Sequence, residues 1–506
     1  MEQLTWSGSL GPYLNPVMLG AVVVFATAVV LNIGMSLVGM RQADPIVNPD
    51  HTISYRMGPV DFALAAMKYA VFVVLAAAVL FIIGGIVQPS FEAKGIIGGV
   101  GAQFLPVWIA LIATFVLSIR FKRRLGLYGK LFDNLVGMIG FGLVMFWIFT
   151  AIFAPMIATH GAIDVISSLR NDIPGTPVPD AAADGLFPYY LLGGDALGRD
   201  VFSRMVMGAR EVLTIAPFAT LFAFMVGITL GLPAGYMGGR FDTLITFIAN
   251  LVLAFPVILL FYLLVTPEIV EAGVPVYMAA VLFILPVIFV WVLLYSRYRS
   301  QPSVIKWVAV PVTGLLLLIY LGTVFRFDPF VWLATSFIGY LNQGNPVSEW
   351  MSTTREAYEP LIGIPIDGNL LIVFVSVVFV NSPTVFRIVR GLVLDIKTRD
   401  YVAAAQTRGE GPWYIMLWEI LPNARGPLIV DFCLRIGYTT ILLGTLGFFG
   451  LGVDPESPNW GSTINEGRRL LTVYAHPPLP PALALMSLVL GLNLLADGLR
   501  EESLKD

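Results

Sequence analysis

Apolar runs of about twenty residues recur along the chain, separated by short polar or basic stretches, and no run shows the strict alternation of a half-buried strand. Each run is long enough to cross a bilayer as a helix. They lie at Met18–Gly39, Ala63–Ile86, Ile97–Ile119, Leu131–Ile157, Leu213–Tyr236, Thr246–Val265, Pro275–Tyr295, Trp307–Phe325, Leu370–Val389, Leu428–Phe449 and Leu479–Leu499. The pattern predicts an all-α integral membrane protein with about eleven transmembrane helices. The first run lacks the basic flank, short apolar core and small-residue cleavage site of a signal peptide, so it reads as a retained span.

Basic residues set the expected orientation. Arg120, Lys122, Arg123, Arg124 and Lys130 cluster after the third run, which places that loop in the cytoplasm, the N-terminus outside and the C-terminus inside. Arg297, Arg299 and Lys306 between the seventh and eighth runs, and the basic stretch from Arg387 to Arg425, fall on the same side. The loop from His160 to Arg210 and the segment from Arg326 to Asp367 fall outside, and Phe330–Leu341, with Trp332 and Tyr340, reads as interfacial.

Composition agrees. Hydrophobic residues make up 57% and charged residues 12% of the 506, against about 25% charged in soluble chains. A net charge of −3 gives no reason to expect nucleic-acid binding. Cys433 is the single cysteine and His51, His160 and His476 are scattered, so no metal-ligand cluster is expected. The chain has no phosphate-binding loop and no H-E-x-x-H. No catalytic residue and no bound cofactor is expected.

Three stretches carry more specific information. Tyr401–Pro422 lies between apolar runs. Asp400 is an N-cap type, Val402–Gln406 favours helix, Gly409 can end the helix in a left-handed conformation, and Pro412 can begin a second one. The first helix would hold about 8 residues, roughly 12 Å, the size of a docking knob. With Ala404, Ala405, Gly409, Ile420, Leu421, Pro422 and Asn423 the stretch resembles the "EAA loop" of ABC-importer permeases, although Ala403 stands where a glutamate is usual. Gly194-Asp195-Ala196-Leu197-Gly198-Arg199-Asp200-Val201-Phe202-Ser203-Arg204 resembles the G-T-D-x-x-G-R-D-x-x-S-R segment of the dipeptide/oligopeptide/nickel permease family, with Gly194 in place of threonine. Its Arg and Asp side chains can pair and cap the next helix. Gly447–Val453, Pro458-Asn459-Trp460-Gly461 and Glu466-Gly467-Arg468 resemble the F-L-G-L-G, P-x-W-G and E-G-R segments of the same family, in the same order.

The resemblance, to the C-type permease subunit, covers about residues 131–264 and 370–500. It implies a six-helix core of the type I importer class, split into residues 131–264 and 370–506, with a coupling loop at 390–426. Residues 1–130 form an N-terminal extension with three spans, and 265–369 an insert with two more spans and an external loop. It further implies a homologous second permease subunit, two ATP-binding subunits or one fused ATPase, a periplasmic solute-binding protein, and ATP and Mg bound on those partners. The setting is the bacterial inner membrane and the work is alternating-access import, with peptides the leading substrate class and opines, nickel chelates and sugars as others. By the same resemblance Ala403, Ala404, Ala405, Gly409, Ile420, Leu421 and Pro422 couple to the ATPase, and Asp195, Gly198, Arg199, Asp200 and Arg204 form an external motif.

Polar residues inside the apolar runs admit two readings. Asp431 and Arg435 are four apart on one face and form either a local ion pair or part of a polar patch on the translocation path. Asn250, Asn381, Ser382 and Thr439 invite the same alternatives. Gly227, Gly231 and Gly235 form a small-residue face for close helix approach. Two other functions compete. An ion-gradient-driven secondary transporter needs acids near the membrane midplane, and Asp431 is the sole candidate. A membrane enzyme would use Asp195 and Asp200 as an acid–base pair, but no nucleophile or metal ligand accompanies them. Residues 1–130 also fit a docking module for an extra subunit.

Overall fold

The computed structural model of the chain describes residues 2–40, 46–47, 53–54, 58–124, 126–179, 181–325, 368–452 and 456–503. The segment Arg326–Asp367, with the interfacial run expected at Phe330–Leu341, lies outside the described residues. The principal helices are α1 (Gly11–Leu37), α2 (Pro59–Val87), α3 (Phe91–Gln103), α4 (Leu105–Phe121), α5 (Leu135–Ile157), α6 (Val201–Met237), α7 (Gly239–Ala254), α8 (Val257–Val265), α9 (Val274–Tyr298), α10 (Val310–Phe325), α11 (Gly368–Ile396), α12 (Asp400–Thr407), α13 (Arg425–Phe449), α14 (Trp460–Arg468) and α15 (Leu479–Ser503). Among the described residues, strands are confined to two antiparallel two-residue pairs, Ile46–Val47 with Ile53–Ser54 and Thr176–Pro177 with Tyr189–Tyr190. Among the described residues ten helices are long and apolar enough to cross a membrane, or eleven if α7 and α8 together make one broken span.

Helix boundaries depart from the apolar runs for identifiable reasons. The run expected at Ile97–Ile119 is two helices, because Pro106 takes a place in the first turn of α4, where its missing N–H costs nothing, and α3 starts from its own N-cap, Ser90, whose side chain accepts from the Ala93 N–H. The run at Leu131–Ile157 becomes helical only at Leu135, behind a short 3-10 turn at Leu131–Asp133. The run at Thr246–Val265 bends by 89° between α7 and α8. Pro256 is the cause: it biases Phe255 out of the helical region, and Phe255 is extended, with ψ 136°. Helix α11 runs past the expected end at Val389 to Ile396 because Arg390 is not shed to solvent. It forms a two-bond pair with Asp242, Nε to Oδ1 at 2.5 Å and Nη2 to Oδ2 at 2.7 Å. Helix α6, expected from Leu213, begins at Val201 and is 37 residues long, about 55 Å.

The chain divides into two compact units, residues 1–113 with 152–207 and 466–480, and residues 114–151 with 208–465 and 481–506. In the first, α1 and α2 pack on each other. Their buried residues include Ala21 and Ala28 on one and Ala63, Ala70 and Ala77 on the other, seven apart in each helix, so each buries a narrow stripe of small side chains. The remaining faces are apolar and exposed, among them Val22, Leu31, Phe72 and Leu80, as suits helices solvated by lipid.

In the second unit the glycine face of α6 meets a valine face of α11. A Cβ placed at Gly227, Gly231 or Gly235 would lie 2.6, 2.9 or 2.8 Å from side-chain carbons of Val385, Val389 and Val393 respectively, so only glycine permits this approach. The same three valines continue into a core with Ile396, Val402, Ala405, Ile415, Met416, Leu417, Ile420, Ala424 and Leu428. The loop between α11 and α13 is therefore packed onto the helices that bound it.

Candidate functional site

The short helix of that loop is α12, eight residues long. Val402 and Ala405 are fully buried in the core below it, while Ala403, Ala404, Thr407 and Gly409 are exposed. The helix thus has one anchored stripe and one free face of small side chains. Asp400 does not cap it from outside, as its residue type predicts. It is the first helical residue, where a carboxylate complements the helix dipole, and Arg399 holds the cap position without a side-chain hydrogen bond. Gly409 stops the helix with φ +78°, and its N–H donates to the Gln406 carbonyl at 3.0 Å. The chain re-enters helix at Pro412 and continues through a π turn, Ile415–Ile420, to Leu421–Asn423. That wider turn directs Ile415, Met416, Leu417 and Ile420 inward together. Pro422 is exposed and Leu421 half-buried. Arg408 and Glu419, 2.7 Å apart, tie the two arms of the loop.

The Gly194–Arg204 segment is a buried ionic turn. Asp195 Oδ1 accepts from the Leu197 and Arg199 N–H groups at 2.8 and 2.9 Å, and Oδ2 accepts from Arg199 Nε at 2.6 Å. Arg199 Nη2 donates to Glu466, and Arg204 lies within ion-pair range of both Asp195 and Glu466. Gly198 sits in the turn with φ +89°. Asp200 caps α6, accepting from the Phe202 and Ser203 N–H groups, both at 3.2 Å, and from the hydroxyls of Ser203 at 2.6 Å and Thr159 at 2.7 Å. Asp195, Arg199, Asp200 and Arg204 are all at most 3% exposed. Both carboxylates are committed to fixed donors, which leaves no free acid–base pair here. Tyr190, beside this turn, has its phenol pKa pushed well above its ordinary value by burial and by the neighbouring carboxylates, so it stays a donor, to the Gly198 carbonyl at 3.1 Å.

A second polar cluster lies on the apolar helices α6, α11 and α13. Arg435 donates through Nε and Nη2 to the two oxygens of Asp431 at 3.3 and 3.2 Å, and through Nη1 to Asn381 Oδ1 at 3.4 Å. Asn381 Nδ2 donates to Thr439 Oγ1 at 3.2 Å, and Thr439 in turn meets the Thr220 hydroxyl at 3.2 Å. Four of the six residues weighed from sequence, Asn381, Asp431, Arg435 and Thr439, thus come together. Ser382 turns back onto its own helix, donating to the Val378 carbonyl at 2.5 Å, and Asn250 is exposed on α7, outside the cluster. Thr220 had no sequence signal, because a lone threonine in an apolar run is ordinary.

The P-x-W-G segment is also structural. Trp460 is fully buried and meets Trp147 edge to face with ring centroids 5.2 Å apart. Asn459 Oδ1 accepts from the Gly461 N–H at 2.8 Å, while Asn459 Nδ2 and Ser457 Oγ donate to the carboxylate of Glu211 at 3.0 and 2.5 Å. Among the described residues no three of His, Cys, Asp and Glu gather as a metal-binding group.

The chain is 28% identical over 322 residues to the glutathione transport system permease protein GsiD of Pectobacterium atrosepticum, covering 64% of this chain and 74% of that one. It is 25% identical over 374 residues to the dipeptide transport system permease protein DppC of Alkalihalophilus pseudofirmus, covering 74% and 87%. It is 26% identical over 324 residues to DppC of Haemophilus influenzae, covering 64% and 77%. Residues 227–501, more than half of the chain and including α12, Asn381, Asp431, Arg435, Thr439 and the P-x-W-G segment, match the family of binding-protein-dependent transport system inner membrane components, and this multi-pass membrane protein belongs to that family.

Proposed function

We propose that the chain is a permease subunit of an ATP-driven importer that takes up peptides by alternating access, and that α12 is the element its ATPase partner grips. The carrying observation is the two-faced loop helix: Val402 and Ala405 lock it to the transmembrane core while Ala403, Ala404 and Gly409 stay free. A rigid knob of this kind transmits a push to α11 and α13, whose inner faces carry Asn381, Arg435 and Thr439. Those residues, with Asp431, would line the path. Peptides are favoured because similar permeases are named for dipeptide and glutathione transport.

In this reading the N-terminus is external and the C-terminus cytoplasmic, consistent with the basic residues beside α4 and around α12. The core comprises residues 131–264 and 370–506, with 1–130 an added bundle and 265–369 an insert. A second, homologous permease completes the pathway. ATP and Mg are bound by the ATPase partners, a solute-binding protein delivers the cargo, and the Gly194–Arg204 turn stiffens the external side. Asp431, the acid an ion-driven carrier would need, is held by two bonds from Arg435, which weighs against that alternative.

Co-purification from native membranes tests the proposal. Wild type should bring down an ATPase and a second permease. Gly409→Pro should lose the ATPase and keep the permease, because proline forbids φ +78° and removes the N–H that closes the helix. An ATPase retained equally by both proteins would refute the role of α12.

A further inference from the structure

The insert expected between the two halves of the core is not remote from the loop that carries α12. Its first long helix, α9, packs against α11, and Phe289, Val292 and Leu293 of α9 join the same apolar core as Val402, Ala405, Ile415 and Ile420. At the end of α9 two consecutive residues hold one side chain of the loop. Trp418 Nε1 donates to Ser296 Oγ at 3.1 Å, and the Ser296 hydroxyl in turn donates to the Leu293 carbonyl at 3.0 Å, so the hydroxyl is satisfied as both acceptor and donor. The Arg297 guanidinium sits over the Trp418 ring, 5.0 Å from its centroid. Trp418 is thereby fixed at its edge and on its face.

The position of Trp418 gives this grip its meaning. It stands in the π turn Ile415–Ile420, the arm that returns from α12 to α13, and the next residue, Glu419, is the one that ties back to Arg408 at the end of α12. A π turn is a local widening that recurs where a helix is under functional constraint. A clamp on Trp418 therefore fixes the returning arm, and through Glu419 and Arg408 it fixes the angle of α12. Arg299, one turn beyond, has its Nη1 3.8 Å from where a Cβ on Gly411 would lie, so the end of α9 also borders the link between the arms.

We propose that α9 is a positioning element of energy coupling, in which Ser296 and Arg297 act through Trp418 to hold the loop at the angle from which α12 meets the ATPase. This rests on the ATP-coupled reading above. It assigns the insert a place in transmission of the power stroke, in addition to its passage through the membrane.

The test uses the intact complex, purified from native membranes and placed in lipid nanodiscs. ATP hydrolysis per assembled complex is divided by that of the ATPase subunits alone. Ser296→Ala/Arg297→Ala should move this ratio about fivefold toward the free subunits, the scale set by loss of one hydrogen bond and one exposed cation–π contact. Arg297→Lys keeps a cation over the ring and should move it by under about twofold. Counting per assembled complex removes any effect of yield, so a merely structural lesion leaves the ratio in place. A double variant whose ratio stays within about twofold of wild type overturns the proposal. A wild-type ratio of one refutes the ATP-coupled reading itself, and the clamp falls with it.

Discussion

Two of the Asp–Arg pairs spaced four residues apart are built to opposite specifications. Asp195–Arg199 and Asp431–Arg435 are both i,i+4. The first lies in a turn, where the Asp195 carboxylate takes three hydrogen bonds of 2.6 to 2.9 Å and a second carboxylate, Glu466, sits on the far side of the guanidinium. The second lies on one helix, where the backbone dictates the reach, and its contacts run from 3.2 to 3.4 Å. The Asp431 side chain is 18% exposed, against 3% for Asp195. A buried ion pair helps only when its remaining donors and acceptors are satisfied. The turn meets that condition and reads as architecture. The helical pair keeps longer bonds, and its guanidinium also reaches Asn381, an arrangement in which a polar solute can compete.

The largest effect should follow from breaking the turn. Arg199→Ala leaves Asp195 buried with only Arg204, 3.8 Å away, as a charge partner, and breaking a buried pair costs about 3–5 kcal/mol, so folded yield after detergent extraction should collapse. Arg435→Ala should cost less, at most about 2.5–3.5 kcal/mol, the scale of a lone charge inside a membrane helix, because the Asp431 side chain keeps 18% exposure, with yield lowered but measurable and a raised KM for peptide uptake in reconstituted vesicles. Equal loss of yield in the two variants would erase the distinction. A finer probe is Thr439→Val, which keeps the shape and removes the hydroxyl that joins Thr220 to Asn381. We expect under about 1 kcal/mol of destabilisation and a few-fold change in KM. Unchanged uptake by both Thr439→Val and Arg435→Ala would move this cluster out of the pathway.

Much of this was legible from residue order, and the failures share a cause. Runs of apolar residues locate helices because burial in lipid requires every backbone group to be bonded within the helix. The glycine spacing of α6 and the breaker pair Gly409 and Gly411-Pro412 were readable because they act through local backbone geometry. The start of α6 was not readable. Ser203, Arg204 and Arg210 look like loop residues until Asp195, Asp200 and Glu466 are seen to surround the two of them that are buried. The bend at Phe255-Pro256 had a local signal, the proline, but an unbroken apolar run masks it. The contact of Trp418 with Ser296 joins residues 122 apart, and no periodicity encodes it. Likewise Thr220 acquires a role only when α13 brings Thr439 to it.

The smallest expected effect concerns acid, and it probes the turn alone. His476 Nε2 lies 3.1 Å from the Gly194 carbonyl, an acceptor, so this nitrogen carries the proton in the neutral ring. Burial is the largest influence on the ring and lowers its pKa below the ordinary histidine value, while the Gly194 and Asp172 backbone contacts oppose the shift without cancelling it. The folded state then binds the second proton less readily than the unfolded chain. Stability is complete above about pH 6.5, the unfolded value, and is lost as pH falls from there through the folded value. Thermal unfolding should therefore shift downward by about one degree at most between about pH 7.5 and about pH 5.5. His476→Gln, which keeps an N–H for Gly194 but cannot titrate, should show a shallower acid slope than wild type. Gly194 opens the turn that holds Asp195, so acid should loosen the Arg199 network first. Added to Arg435→Ala, His476→Gln should flatten the slope by the same amount as in wild type, since sites that share no partner contribute additively. An identical slope in wild type and His476→Gln would show that the buried ring is not what senses acid, and the turn would have to be regarded as insensitive to pH.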